Sequence, residues 1–255
     1  MLKVGIFGAT GRVGRLLIEE ILNHSQFTLS SVYVRNELQY SLPSSTMVTR
    51  DFHIFLESSD VIIDFSSPEA TKALLEAAIT SPTPLVIGTT GLDNDIHHLI
   101  EESSHTMPIL YATNMSKGIA VLNKIVSLVA QTLKESNIEI CEIHHRHKKD
   151  APSGTALTLA QTCANARGLN LDKVRISGRN GMIGERSESE IAVMSLRGGD
   201  VCGRHSVGFY LDGEYLELTH NATSRLTFAK GALDMAHWIT KQKNGLYSIQ
   251  DALAL

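Results

Sequence analysis

Cysteine is scarce in this chain: Cys141, Cys163 and Cys202 are the only three in 255 residues, and none forms a Cys-x-x-Cys pair. That argues against a disulfide framework and suits a reducing compartment. Long apolar runs are absent too, with nothing approaching the roughly 18 residues of a membrane span. A strong excess of one charge sign is also missing. A net −4 gives no overall pull toward nucleic acid or anionic membranes and leaves anion binding to local surfaces. There is no internal repeat and no low-complexity linker. Met1-Leu2-Lys3 leads straight into Val4-Gly5-Ile6-Phe7, which reads as a strand entering a glycine turn and not as a signal-peptide core. A soluble, cytoplasmic protein is expected, with no nucleic-acid or membrane partner. What is present is ordinary globular composition, 43% hydrophobic and 20% charged, over a length that fits one large domain or two smaller ones.

The first half alternates two kinds of segment. Short apolar runs rich in β-branched residues fall at 4–7, 29–34, 61–65, 85–87 and 109–112. Helix-period stretches lie between several of them. In 13–22 the residues Val13, Leu16, Leu17, Ile21 and Leu22 make one apolar face, and 71–79 and 95–102 read similarly. This spacing predicts a doubly wound α/β domain of Rossmann type, with a parallel sheet and right-handed crossovers. After about Met115 the pattern changes. A helix over 121–134, a strand over 138–143 and a helix over 155–166 ending at Gly168 are followed by strand-like runs at 174–177, 190–196, 205–211 and 215–219. Asp212-Gly213 between two such runs signals a hairpin, and 228–238 returns to helical periodicity. The expectation is a second α+β domain with an open mixed sheet over 116–225, inserted into a dinucleotide-binding domain made of 1–115 and 226–255.

Gly8-Ala9-Thr10-Gly11-Arg12-Val13-Gly14 follows a strand and opens a helix. Such glycines permit a tight turn and let backbone N–H groups approach a pyrophosphate at the helix N-terminus. A purely structural strand-to-helix turn is the bland alternative, but the strand, turn and amphipathic helix come in the order a dinucleotide site needs. The second strand usually ends in an acidic ribose ligand. Here Tyr33-Val34-Arg35-Asn36 has none, and Arg35 is suited to pair with a 2′-phosphate, with help from Arg12. NADPH is therefore the expected cofactor, with NADH tolerated. Gly88-Thr89-Thr90-Gly91 and Ala112-Thr113-Asn114-Met115 lie at carboxyl ends of predicted strands. The first offers close backbone approach and two hydroxyls, the second an amide for the nicotinamide carboxamide.

The stretch from Glu142 through His144, His145, Arg146, His147, Lys148 and Lys149 to Pro152-Ser153-Gly154-Thr155 is the most informative. Six consecutive basic groups leave a strand and meet a helix start, with Ser153 as candidate N-cap. Gly154 and Thr155 sit at the positive end of that helix. A basic loop beside such a terminus suits a substrate with carboxylates. Three plainer readings compete: a solvated charged loop, a zinc site from Cys141, His144 and His147, and a core histidine at His144. Strand alternation of Ile138, Ile140, Glu142 and His144 splays the would-be ligands, so no metal is expected. Reduction of a C=C or C=N bond by NADPH requires a general acid and a cation near developing negative charge. Lys148 and His144, crowded by other cations, are the candidates.

Together with Ile63-Asp64-Phe65-Ser66, Arg197-Gly198-Gly199-Asp200, Gly203-Arg204-His205 and Glu217-Leu218-Thr219-His220, these motifs resemble the 4-hydroxy-tetrahydrodipicolinate (dihydrodipicolinate) reductase family over nearly the whole chain. The resemblance implies His144 as proton donor and acceptor, Lys148 as proton donor, and His145, Gly154 and Thr155 as contacts of the substrate carboxylates. It implies cofactor contacts at Gly8, Ala9, Thr10, Gly11, Arg12, Val13, Arg35, Gly88, Thr89, Thr90, Ala112, Thr113, Asn114 and Met115. It further implies a homotetramer assembled through the second domain, and NAD(P)H-dependent reduction of (2S,4S)-4-hydroxy-2,3,4,5-tetrahydrodipicolinate in lysine and diaminopimelate biosynthesis. Reduction of another cyclic imine or keto-acid, or a non-catalytic NADPH sensor, stays open on the residues alone.

Overall fold

The computed structural model describes residues 1–255. The chain runs β1 (Leu2–Phe7), α1 (Arg12–Leu22), β2 (Phe27–Tyr33), β3 (Met47–Thr49), α2 (Phe52–Glu57), β4 (Val61–Asp64), α3 (Pro68–Thr80), β5 (Leu85–Ile87), α4 (Asn94–Ser104) and β6 (Pro108–Tyr111). It continues with α5 (Lys117–Thr132), β7 (Asn137–His144), α6 (Gly154–Ala166), α7 (Leu171–Val174), β8 (Arg175–Ile176), β9 (Ile191–Arg197), β10 (Gly203–Leu211) and β11 (Glu214–Ala222). It closes with α8 (Leu226–Ile239), β12 (Gly245–Tyr247) and α9 (Ile249–Leu253). Two compact units result: Met1–Lys117 with Arg225–Leu255, and Gly118–Ser224. No helix is long and apolar enough to cross a membrane.

The first unit holds a seven-stranded sheet in the order β12-β6-β5-β4-β1-β2-β3, and every pairing in it is parallel. Helices cover both faces, so the central strands have no solvent face. Each residue of Val61–Asp64 and of Leu85–Ile87 is buried. Such strands read as unbroken apolar runs, which is how the sequence signalled them. Against them pack Leu74 and Leu75 of α3 and Ile96 and Ile100 of α4, each side chain contributing about 1.5–3 kcal/mol by leaving water. Helix α3 starts where Ser67 accepts a hydrogen bond from the Ala70 N–H, with Pro68 in the first turn. The chain crosses from one side of β1 to the other after β3. That reversal opens a crevice beyond the carboxyl ends of β1 and β4, where sheets of this kind bind ligands.

The second unit is a five-stranded mixed sheet, β11-β10-β7-β9-β8, with β10 antiparallel to both its neighbours and the remaining pairs parallel. Asp212-Gly213 forms the expected two-residue turn between β10 and β11, Gly213 having φ +85°. Ile138, Ile140, Val193, Val207 and Phe209 project from one face onto α5 and α6. Cys163 lies in this core, where burial pushes its thiol up to about 12, so it packs and does not react. Helix α6 ends as the glycine at 168 suggested. Gly168 has φ +66°, its N–H donates to the Asn165 carbonyl at 3.1 Å, and the Leu169 N–H reaches the Ala164 carbonyl at 2.9 Å. Arg167 then spends its guanidinium on the end of α5, donating to the carbonyls of Leu133 at 2.7 Å and Ser136 at 2.8 Å. The opposite face of the sheet is uncovered within the unit, leaving Leu196, Tyr210 and Tyr215 exposed.

Candidate active site

In the first unit, the glycine loop joins β1 to α1. Gly8 has φ +89°, and a Cβ there would meet the Phe65 carbonyl oxygen at 2.3 Å, so both the turn and its approach to β4 require glycine. Helix α1 starts at Gly11 with no side-chain cap and no carboxylate in its first turn. Its first N–H groups and the positive end of its dipole are thus left without an internal anion, the arrangement that holds a phosphate. Phe7, Gly8, Ala9, Thr10, Gly11, Tyr33, Val34, Arg35, Asn36, Phe65, Ser66, Ser67 and Ala70 enclose a cavity of about 270 Å³. These residues fit a dinucleotide: an open helix terminus, a glycine cradle, and an exposed arginine just past the end of β2 with no carboxylate beside it in sequence. Tyr40, which sequence reading passed over, donates to the Ala9 carbonyl at 3.0 Å and lies under the Arg15 guanidinium.

Of the anticipated cofactor residues, Gly8, Ala9, Thr10, Gly11 and Arg35 line this cavity, while Arg12 and Val13 continue the loop into α1. Gly88, Thr89 and Thr90 follow β5, and Ala112, Thr113, Asn114 and Met115 follow β6, along the same edge of the parallel sheet but outside the cavity wall. Two of these side chains are engaged by the protein itself, and Met115 packs as its thioether suggested. Thr89 is buried and its hydroxyl accepts from the Ser66 N–H at 2.9 Å, leaving Thr90 as the exposed hydroxyl. The Asn114 amide oxygen accepts from the Ser116 N–H at 2.9 Å, and Met115 packs in the interior.

Beneath these loops, Asp64 ends β4 fully buried. Its Oδ2 accepts from the Thr71 hydroxyl at 2.5 Å, while Oδ1 has no partner. Burial pushes its carboxyl up to about 6, against the hydrogen bonds that pull the other way. The fold therefore favours the protonated form over the unfolded chain, whose value is near 3.8. The resulting stabilisation is complete below that value and is lost as pH rises through about 6, amounting to about 3 kcal/mol. Asp64→Asn should accordingly raise the Tm at pH 8 and have little effect below pH 4. Thermal melts across that range check it, and an equal change at both ends would refute the linkage.

In the second unit, the basic segment leaves β7 as a tight turn. The Lys148 N–H donates to the His145 carbonyl at 3.1 Å, and two backbone bonds tie the segment to the loop after β9: Gly198 N–H to the His144 carbonyl at 2.9 Å, and Arg146 N–H to the Gly199 carbonyl at 3.1 Å. Ser153 caps α6 as expected, accepting from the Ala156 N–H at 3.2 Å. Gly154 and Thr155 form that helix's first turn, with His145 half-buried nearby in sequence. Lys148 requires a correction. Its neighbours in sequence are cations, but its ammonium sits 2.9 Å from the Asp150 carboxylate, because the turn folds the chain back on itself. A carboxylate thus joins the basic groups around it. Burial and the hydrogen bond from Lys148 oppose each other at Asp150, and the hydrogen bond prevails, holding that carboxyl low.

Glu142, His144, Arg197 and His205 form a cluster that no single motif announced. Glu142 is fully buried. Its Oε2 lies 2.6 Å from His144 Nδ1 and accepts from Arg197 Nη1 at 2.9 Å, and its Oε1 accepts from the Ser153 N–H at 3.1 Å. Burial alone would raise this carboxyl, but Arg197 and His144 outweigh it and keep it low. His144 is itself held below the usual histidine range, first by burial and then by Lys148 and Arg197, despite Glu142. His205, 3.0 Å from the Ser153 hydroxyl and ring to ring with His144 at 5.1 Å, is pushed down to about 4, mainly by burial. A trace of this cluster was visible: Glu142 continues the inward parity of Ile138 and Ile140, where an unpaired carboxylate would be very unfavourable.

Residues 2–115 match the family described as dihydrodipicolinate reductase, N-terminus, and residues 118–253 match its C-terminal counterpart. Over the full length of both chains, the sequence is 83% identical to 4-hydroxy-tetrahydrodipicolinate reductase of Helicobacter hepaticus, and 62% identical to that of Wolinella succinogenes. A dipicolinate-bound dihydrodipicolinate reductase from Paenisporosarcina sp. TG-14 shares the fold, with a TM-score of 0.79 at 22% identity and complete coverage of both chains.

Proposed function

Because the chain belongs to the 4-hydroxy-tetrahydrodipicolinate reductase family, we propose that residues 1–115 and 226–255 carry the reduced dinucleotide, while 116–225 carry the dicarboxylate and the proton donor. The chain is an oxidoreductase that converts (2S,4S)-4-hydroxy-2,3,4,5-tetrahydrodipicolinate to tetrahydrodipicolinate with NAD(P)H, a step of lysine and diaminopimelate biosynthesis. Hydride and proton are added and water departs with the hydroxyl. The observation that carries the division of roles is the segment from His144 to Thr155, where a histidine bonded to a buried carboxylate, a lysine and a Ser153-capped helix start lie together in sequence.

When bound, the reduced nicotinamide supplies the hydride. Lys148 delivers a proton to the electron-rich carbon as the general acid. His144, neutral in its buried setting, exchanges a proton through Nε2. His145, Gly154 and Thr155 take the substrate carboxylates at the positive end of α6. Gly8, Ala9, Thr10, Gly11, Arg12 and Val13 cradle the pyrophosphate, and Gly88, Thr89, Thr90, Ala112, Thr113, Asn114 and Met115 supply the far end of the dinucleotide site, chiefly through backbone. Arg35 selects NADPH by pairing with the 2′-phosphate, NADH being tolerated. Initial rates with both cofactors test this. Arg35→Ala should raise KM for NADPH by roughly tenfold and leave KM for NADH unchanged, the scale of a charge-assisted hydrogen bond at an exposed site. An unaltered NADPH preference would remove Arg35 from cofactor selection. The bare sheet face bearing Leu196, Tyr210 and Tyr215 supports a homotetramer, an assembly that sedimentation measures directly.

A further inference from the structure

We infer that Glu142 is the positioning residue of His144: its carboxylate fixes the imidazole as the Nδ1–H tautomer, so that Nε2 alone exchanges the proton. This rests on the reading of His144 as a proton-transfer group. The geometry has three parts. His144 Nδ1 lies 2.6 Å from Glu142 Oε2, so one ring nitrogen is committed to a carboxylate acceptor. An ionised carboxylate has no proton to donate, so the hydrogen in that bond belongs to the histidine. The second part is what holds the carboxylate. Arg197 Nη1 donates to the same Oε2 at 2.9 Å, and the Ser153 N–H donates to Oε1 at 3.1 Å. Arg197 is further anchored on the carbonyls of Leu196 at 2.6 Å and Asp150 at 2.5 Å. The acceptor is thereby pinned from β9 and from the start of α6, and cannot rotate away when the ring changes protonation.

The third part is the room left at the other nitrogen. Gly203 faces the ring, and a Cβ at that position would stand 2.9 Å from His144 Nε2. Only glycine keeps that side of the imidazole uncrowded. A histidine with one nitrogen bound to a buried carboxylate and the other without a protein hydrogen-bond partner is oriented for proton exchange at a single atom, and the carboxylate stabilises the imidazolium formed in passing. The proton that arrives at Nε2 leaves by Nε2, so Glu142 gains and loses none.

The direct test is the tautomer of His144 by 15N–1H correlation spectroscopy of the full-length protein, assigned by the signal that disappears in His144→Ala. The Nδ1–H form is expected in the wild type. An Nε2–H form would overturn the proposal whether or not Glu142→Gln folds. Turnover supplies the second arm. Glu142→Gln should lower kcat by roughly 10²-fold with KM for the dicarboxylate nearly unchanged. In the His144→Ala background the same substitution should cost no more than about twofold, because a residue acting through His144 has nothing left to position. An equal loss in both backgrounds would make Glu142 an independent or merely structural group. Wild-type turnover by His144→Ala would instead remove His144 from the chemistry, and with it this role for Glu142. The tautomer measurement distinguishes that outcome from a wrong geometry.

Discussion

Lys148→Ala should lower kcat by about 10²–10⁴-fold while leaving NADPH binding by the first unit intact, the range a positioned general acid supplies. The effect is expected to be catalytic and not structural. The ion pair of Lys148 with Asp150 is a surface one, and Asp150 is 61% exposed at the side chain, so losing the lysine leaves a hydrated carboxylate and no buried charge. The backbone of the turn does not depend on the ammonium, since the Lys148 N–H and not its side chain bonds the His145 carbonyl. NADPH fluorescence titration and initial rates on the same preparation separate binding from chemistry. A kcat within about threefold of the wild type would take the proton-donor role away from Lys148.

Gly231→Ala should be the most damaging methyl group that can be added to the first unit. Gly231 lies on the buried face of α8, and a Cβ there would stand 1.8 Å from the Met115 carbonyl oxygen. That atom is backbone, and Met115 itself is buried, so neither partner yields by turning a side chain. Overpacking commonly costs about 1–3 kcal/mol, and a backbone collision belongs at or beyond the upper end. A fall in Tm of roughly 6–12 °C follows for a chain of this size. The strain enters the loop after β6, so KM for the dinucleotide should rise as well, even at temperatures where the variant is folded. A Tm within about 2 °C of the wild type would mean that α8 slides away at little cost.

The frame was legible where physics is local. The strand, glycine turn and amphipathic helix of residues 2–22, the Ser153 cap, the Gly168 stop and the Asp212-Gly213 turn are each decided within a few residues, and the structure has them all. Shorter elements escaped. Strand β3 is three residues long with Met47 and Val48 exposed, and α2 is a six-residue helix, so neither shows a full period of any pattern. Helix α5 begins at Lys117 and not at 121, with a glycine at 118 masking its first turn. At the site, the basic segment announced itself by composition, but its organisation did not. Arg197 reaches Glu142 from 55 residues away, and His205 meets Ser153 across 52. Such bonds depend on strand register across β7, β9 and β10, which periodicity within one strand does not encode. The Lys148–Asp150 pair shows a different gap: the run of cations drew the reading, and the carboxylate two residues on was left out of it.

One feature of the connectivity bears on how the molecule is made. Helix α8 packs against β4, β5 and β6 and against α1, burying Ala232, Leu233, Met235 and Ile239, and β12 closes the β6 edge of the parallel sheet. Both belong to Arg225–Leu255, which a ribosome delivers only after all of Gly118–Ser224 has emerged. Until then the nascent first unit carries an open strand edge and an uncovered apolar floor, the two surfaces through which unfinished chains adhere to one another. Premature termination near residue 225 would thus show itself first as inclusion bodies or chaperone dependence, before any question of lost turnover arises.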